Sequence, residues 1–134
     1  MLQTIKSCNN MIVSPHWMAS QAGSEIMKSG GNAVEAMICS AAVISVVYPH
    51  MNSLGGDNFW LINSFDQKLI GIESTGFCSE KATIDFYNSI GLKQIPSRGD
   101  FAAITVPGVV SGWMKAYEYS LQKLNGKKTL EEIL

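Results

Sequence analysis

Residues 11–31 read MIVSPHWMASQAGSEIMKSGG, and residues 32–49 follow without a break as NAVEAMICSAAVISVVYP. The run spells two helices separated by a glycine stop. Asn10–Ser14 (NMIVS) predicts a short strand. Ser14 then suits a helix cap, and Pro15 fits the first turn, where a missing N–H costs nothing. Met18, Ala22 and Ile26 recur every four residues, which predicts an apolar stripe of helical period. Gly30-Gly31 ends that helix, because glycine adopts the left-handed turn a helix C-terminus favours. Asn32 and Glu35 stand three apart, the spacing of a capping box. From Ala33 to Val47 only Glu35, Cys39, Ser40 and Ser45 are not strongly apolar. A helix apolar nearly all round is buried on most sides. Its alanines, Ala33, Ala36, Ala41 and Ala42, allow close packing, and the expected place of this helix is the centre of the fold, against a sheet. Pro49 ends it.

Working outward, Met51–Asp57 is a polar loop with two glycines. Phe59–Asn63 (FWLIN) and Lys68–Ser74 (KLIGIES) predict a hairpin turned by Ser64–Gln67. A short helix is expected over Ile84–Ser89, loop over Gly91–Gly99, and a third strand over Phe101–Val106 (FAAITV), stopped by Pro107. Beyond it Val110, Trp113, Tyr117, Leu121 and Leu124 fall at spacings of three and four, an amphipathic helix that Asn125-Gly126 closes. Thr129-Leu130-Glu131-Glu132 is a second capping box, followed only by Ile133-Leu134. A helix of about one turn needs more chain or tertiary contacts to persist. The expectation is therefore that Leu134 is not the natural end of the fold, and that residues 1–134 form one incomplete domain with residues 1–9 as an extension.

Composition narrows the function classes. Of 134 residues, 46% are hydrophobic and 16% charged, against about a quarter charged in a typical domain. That deficit hints at surface covered by something else. The net charge is −1, and Lys123, Lys127 and Lys128 form the only basic cluster, which argues against nucleic acid. Cys8, Cys39 and Cys78 are odd in number and far apart, so neither a disulfide framework nor a zinc site is expected, and no cofactor. Free thiols, no apolar leader in residues 1–10, and no apolar run of the roughly 20 residues that span a bilayer lead to a cytoplasmic expectation with no membrane partner.

The residues offer little chemistry on their own. Cys8 or Cys39 with His16 or His50 could be imagined as a nucleophilic pair, but satisfied loop histidines are the plainer reading. Gly55-Gly56-Asp57 leads into a strand rather than a helix N-terminus, so a tight turn fits better than a phosphate cradle. Asp57, Glu73 and Asp85 form no obvious acid/base pair. Composition and spacing give a buried αβ domain without a catalytic set.

Four pieces in order add a resemblance. These are Met11–Gly31 with S-P-H, A-S-x-A-G and the glycine pair, Asn32–Pro49 with N-A-V-E-A, Tyr48–Trp60 (YPHMNSLGGDNFW), and Ala103–Trp113 (AITVPGVVSGW). Together they resemble the N-terminal part of the γ-glutamyltransferase family, over residues 11 to 134, and within it the amidohydrolase-like subgroup. The resemblance implies the first part of a four-layer αββα N-terminal-nucleophile hydrolase fold. It implies a proenzyme that cuts itself to free a threonine, whose hydroxyl attacks an amide carbonyl with its own α-amine as base. That threonine begins the second, C-terminal subunit of the family, so no residue here is expected to be catalytic. The implied partners are the remainder of the polypeptide and a small-molecule amide substrate.

One substrate residue of the family does fall in this region, an arginine that pairs with the substrate carboxylate. The matching segment is Ile72–Ser79 (IESTGFCS), and the arginine position falls on Thr75 or Phe77, according to the subgroup aligned. Neither is basic, and the nearest downstream cation, Lys81, does not match. Thr75, Gly76 and Phe77 are therefore the candidate substrate-binding residues, with γ-glutamyl specificity weakened. The rival readings are a non-catalytic remnant of the fold and a small αβ interaction module.

Overall fold

The computed structural model describes residues 4–66, 68–102 and 104–134. In chain order its elements are α1 (Trp17–Lys28), α2 (Ala33–Val47), β1 (Asn58–Asn63), β2 (Leu69–Ser74), α3 (Ile84–Ser89), α4 (Val109–Lys123) and α5 (Leu130–Ile133).

α1 starts two residues later than Ser14-Pro15 suggests. The Ser14 hydroxyl donates to the His16 carbonyl at 2.7 Å and lies 2.6 Å from the Ser20 hydroxyl. His16 is the cap instead, its Nδ1 accepting the Met18 N–H at 3.2 Å. The buried face of α1 is Ala19, Gly23 and Ile26 rather than Met18, Ala22 and Ile26. Small residues decide this, because the helix lies nearly backbone to backbone on α2. A Cβ on Gly23 would stand 2.8 Å from the Ala36 carbonyl oxygen, and Ser40 Oγ donates to the Ala19 carbonyl at 2.7 Å. The larger Met18 is turned out of that contact. α1 ends in a Schellman turn: Gly31 N–H donates to Ile26 O at 2.9 Å and Gly30 N–H to Met27 O at 3.1 Å, with Gly30 at φ +94.

α2 carries the Asn32–Glu35 capping box. Its Glu35 is 0% exposed. Glu35 Oε2 accepts the Asn32 N–H at 2.8 Å, while Oε1 accepts the N–H groups of Lys127 and Lys128 at 2.8 and 3.0 Å. Beside it Asn32 Nδ2 donates to Ser120 Oγ at 2.7 Å. One acid thus ties the start of α2 to the link between α4 and α5. The burial of α2 is narrower than its composition suggests. Val34, Glu35, Ala36, Ile38 and Ser40 are buried, all in its first half, whereas Val46 is exposed. Its backbone lies nearest α1 and α4, while its Val34 and Ile38 share the core with Ile62 of the hairpin.

β1 and β2 form an antiparallel hairpin with Trp60 opposite Ile72 and Ile62 opposite Ile70. Those four side chains join Val34, Ile38, Val109, Trp113, Ala116 and Ile133 in the core. The Ser64 N–H donates to Lys68 O at 3.4 Å across the turn, of which Gln67 lies outside the described residues. α3 forms over Ile84–Ser89, capped by Thr83. On α4 the buried set is Val109, Gly112, Trp113, Ala116 and Ser120. Val110 and Leu121 of the predicted stripe are exposed. The helix is turned toward its small residues, which approach the hairpin and α2 closely. In α5 the Thr129–Glu132 box forms and Ile133 is buried, so tertiary contact holds this single turn.

Among the described residues two predicted strands do not form. Asn10–Ser14 pairs with nothing in a ladder among the described residues; Ile12 packs instead into the place a Gly23 side chain would fill. Of Phe101–Val106, Ala103 lies outside the described residues, and only Thr105 makes a bridge, to Cys78. Pro107 has no N–H with which to extend that ladder. Residues 1–3 of the N-terminal extension also lie outside the described residues.

Replacing Glu35 by alanine leaves three N–H groups without their acceptor. At ~1–3 kcal/mol for each buried donor left unpaired, Glu35→Ala is expected to lower unfolding free energy by about 3 kcal/mol or more. Urea unfolding of this chain and its variant measures the difference. A loss below ~1 kcal/mol would mean that water already serves those donors.

Candidate functional site

Three loops meet at the open end of the hairpin. β2 runs out at Ser74, and Thr75, Gly76 and Phe77 turn the chain away. Gly76 takes φ +74, which an L side chain rarely adopts. A Cβ there would also stand 1.7 Å from the Val106 carbonyl oxygen. Reciprocally, a Cβ on Gly108 would stand 1.9 Å from the Ser74 carbonyl oxygen. The Val106 N–H donates to the Phe77 carbonyl at 3.0 Å, just inside the Cys78–Thr105 bridge. The two segments therefore interlock backbone to backbone.

The third loop is Gly55-Gly56-Asp57. Its Gly56 carbonyl accepts the Gly108 and Val109 N–H groups at 3.1 and 3.3 Å. Gly108 is the cap residue of α4 and has no side chain to do this. The pair of glycines is thus a tight turn serving another segment, as read from the sequence, and it engages the first two N–H groups at the start of α4, those of Gly108 and Val109. One turn on, a Cβ at Gly112 would meet Asn58 Oδ1 at 2.6 Å and Ser74 Oγ at 3.0 Å. The G-x-x-x-G spacing of Gly108 and Gly112 is the signal in the sequence that could have revealed this contact, since it puts two bare faces on one side of a helix.

The structure brings Thr75, Gly76 and Phe77 together on this corner. Thr75 Oγ1 donates to Glu73 Oε1 at 3.4 Å. Phe77 is 87% exposed, so it is not a core residue of this chain. A cavity of about 330 Å³ opens nearby in sequence, between α2, the 49–58 loop and α4, lined among others by Ser45, His50, Asp57, Asn58 and Trp113. Thr75, Gly76 and Phe77 do not line it. Trp113 is only 6% exposed, and its Nε1, like Asn58 Oδ1, has no hydrogen-bond partner among the described residues.

Only His16 has a structural role that the hydrogen bonds define, whereas His50 is exposed at the rim of the cavity. His16 caps α1, and the His50 ring lies 4.2 Å from that of Tyr48. Burial pushes the Cys39 thiol above its ordinary range, which disfavours the nucleophilic thiolate. Among the described residues no three His, Cys, Asp or Glu side chains are grouped to hold a metal ion, and no helix is long and apolar enough to cross a membrane.

The sequence profile of the gamma-glutamyltranspeptidase family matches residues 19–129. The chain is 48% identical over 114 residues to the oxamate amidohydrolase proenzyme of Klebsiella pneumoniae, covering 85% of this chain and 21% of that protein. It is 43% identical to the glutathione hydrolase-like YwrD proenzyme of Bacillus subtilis, covering 84% of this chain and 21% of the relative. Among solved structures, the gamma-glutamyltranspeptidase of Helicobacter pylori superposes with a TM-score of 0.78 at 24% identity, over 98% of this chain and 37% of that one. That of Pseudomonas nitroreducens gives 0.76 at 27% identity, over 96% and 37%. This chain spans about a fifth of the length of the curated relatives it matches. Its helices and hairpin are thus the first part of an N-terminal-nucleophile hydrolase αββα fold, and the chain belongs to the gamma-glutamyltranspeptidase family.

Proposed function

We propose that this chain is the start of the large subunit of a self-cleaving amidohydrolase, whose nucleophilic threonine lies on a later segment. The observation that carries the reading is the bare outer face of the hairpin. Phe59 is 67% and Leu61 76% exposed, and Leu69 stands with them, opposite the face that packs on α4. Strands apolar on both faces are strands meant to be covered on both. A second sheet, supplied by the rest of the polypeptide, covers such a face in an αββα stack. The lengths of the relatives support this, since each is a proenzyme about five times longer than the segment it shares.

In that assembly the freed threonine hydroxyl adds to the amide carbonyl, its α-amine takes the hydroxyl proton and passes it to the substrate nitrogen, and the C–N bond breaks to release the substrate amine and leave an acyl ester on the threonine. Water, or an acceptor amine, then releases the acyl group. Thr75, Gly76 and Phe77 line the acyl pocket in this reading. A guanidinium there would bind a γ-glutamyl α-carboxylate bidentately; a hydroxyl offers one neutral hydrogen bond and a phenyl ring none. In this reading the preferred substrate is an amide other than γ-glutamyl; a relative 48% identical is named for oxamate, whose acyl group is much smaller than γ-glutamyl and whose carboxylate would be bound from another part of the enzyme. The three free thiols, Cys8, Cys39 and Cys78, suit a reducing cytoplasm.

Alone, this chain holds neither the nucleophile nor oxyanion donors. Purified and mixed with a chromogenic γ-glutamyl anilide, it is expected to show no turnover above a heat-killed control; measurable turnover contradicts the assignment. In the full-length enzyme, Phe77→Arg restores a charge-assisted pair of roughly 1.5–3 kcal/mol. The rate constant kcat/KM for a γ-glutamyl amide should then rise by about one to two orders of magnitude relative to a neutral acyl amide. Thr75→Arg is measured in parallel to decide between the two alignments. A wild type that already prefers γ-glutamyl strongly, or two arginine variants that gain nothing, removes the pocket.

A further inference from the structure

We propose that the interlock between Ser74–Phe77 and Val106–Gly108 sets the acyl preference of this enzyme, with Gly108 as the positioning residue. The inference rests on the assignment of Thr75–Phe77 to the acyl pocket and asks what holds that segment in place. Side chains contribute little at its end: Phe77 is 87% exposed, and the hydrogen bond of the half-buried Thr75 goes only as far as Glu73. What holds it is main chain. The Phe77 carbonyl accepts the Val106 N–H at 3.0 Å. Gly76 lies so close to Val106 that a Cβ would meet its carbonyl oxygen at 1.7 Å. Gly108 lies as close to the carbonyl of Ser74. Both obstacles are backbone, which cannot swing aside as a flexible side chain would. Gly108 is itself pinned, because its N–H and that of Val109 share the Gly56 carbonyl. The start of α4 is therefore an anvil against which residues 74–77 are set. Any bulk at Gly108 must displace Ser74 and carry Thr75 and Phe77 with it. Positions acting on a substrate through such contact are sensitive, since a shift of about 1 Å costs up to ~100-fold in rate.

The experiment uses the full-length proenzyme and two anilides that share a leaving group, one γ-glutamyl and one neutral acyl. Gly108→Ala is compared with Gly55→Ala, whose added Cβ would meet only Ser53 Oγ at 3.7 Å. The quantity read is the ratio of the two kcat/KM values, which a general loss of active enzyme leaves unmoved. Gly108→Ala is expected to change that ratio by about tenfold or more, and Gly55→Ala to leave it unchanged. Should Gly108→Ala fail to fold or self-cleave, Val106→Pro decides. It removes the N–H to Phe77 O and sets a ring carbon where that hydrogen stood, so it pushes directly on the Phe77 carbonyl. The same change of ratio is expected. Equal losses on both substrates, an unchanged ratio, or failure of both variants to fold would assign the interlock to stability alone and overturn the proposal. Phe77→Arg separates the two ideas. If it shifts the preference while Gly108→Ala and Val106→Pro do not, the pocket stands without its anvil. If no variant shifts it, the pocket falls and the anvil with it.

Discussion

The carboxylate of Glu35 is the contact on which the arrangement of this chain depends. It is fully buried and accepts three backbone N–H groups, one at the cap of α2 and two just before α5. A buried acid is costly unless its oxygens are engaged, and here both are. The same carboxylate stops the entry of α2 from fraying and holds the α4–α5 link against it. Gly31 and Gly126 leave the room, since a Cβ on either would crowd the Glu35 oxygens at 3.2 and 2.9 Å. Asn32 completes the junction by capping α2 with its Oδ1 while its Nδ2 reaches Ser120.

That junction fixes one end of α4, and the glycine corner fixes the other. Between them α4 lies across the inner face of the hairpin, with Trp113 and Ala116 in the core. The outer face exposes Phe59, Leu61 and Leu69 beside Asn63 and Glu73, and Thr75–Phe77 leave the hairpin beside the start of α4. Structure and chemistry connect at this point. A scaffold of helices holds a hairpin whose outer face leaves Phe59, Leu61 and Leu69 exposed, and whose end carries a segment interlocked main chain to main chain with the start of α4.

What the sequence discloses here is mostly local. Both capping boxes, the Gly30-Gly31 stop, the hairpin and α3 were legible, because each is made by hydrogen bonds among residues a few positions apart. The buried faces of α1 and α4 were not. Periodicity favours the large apolar residues, such as Met18, Val110 and Leu121, yet close helix packing selects Gly23, Ala19, Gly112 and Ala116. The strand at Asn10–Ser14 was misread because a ladder needs a partner that propensity cannot supply. The grip of Glu35 on Lys127 spans 92 positions and leaves no periodic trace. As for the site, composition gave no catalytic set. Only the likeness of four ordered motifs pointed to Thr75–Phe77, and it could not reveal that Gly56, Gly76 and Gly108 meet there.

The central claim is that this chain opens a proenzyme whose chemistry lies on a later threonine. The most direct measurement is N-terminal sequencing, with intact mass, of every polypeptide in the purified full-length protein. The account predicts two chains: a larger one beginning with the segment described here, and a smaller one whose first residue is threonine. A single uncut chain that nonetheless cleaves amides, or a smaller chain beginning with a residue that has neither hydroxyl nor thiol, would contradict it.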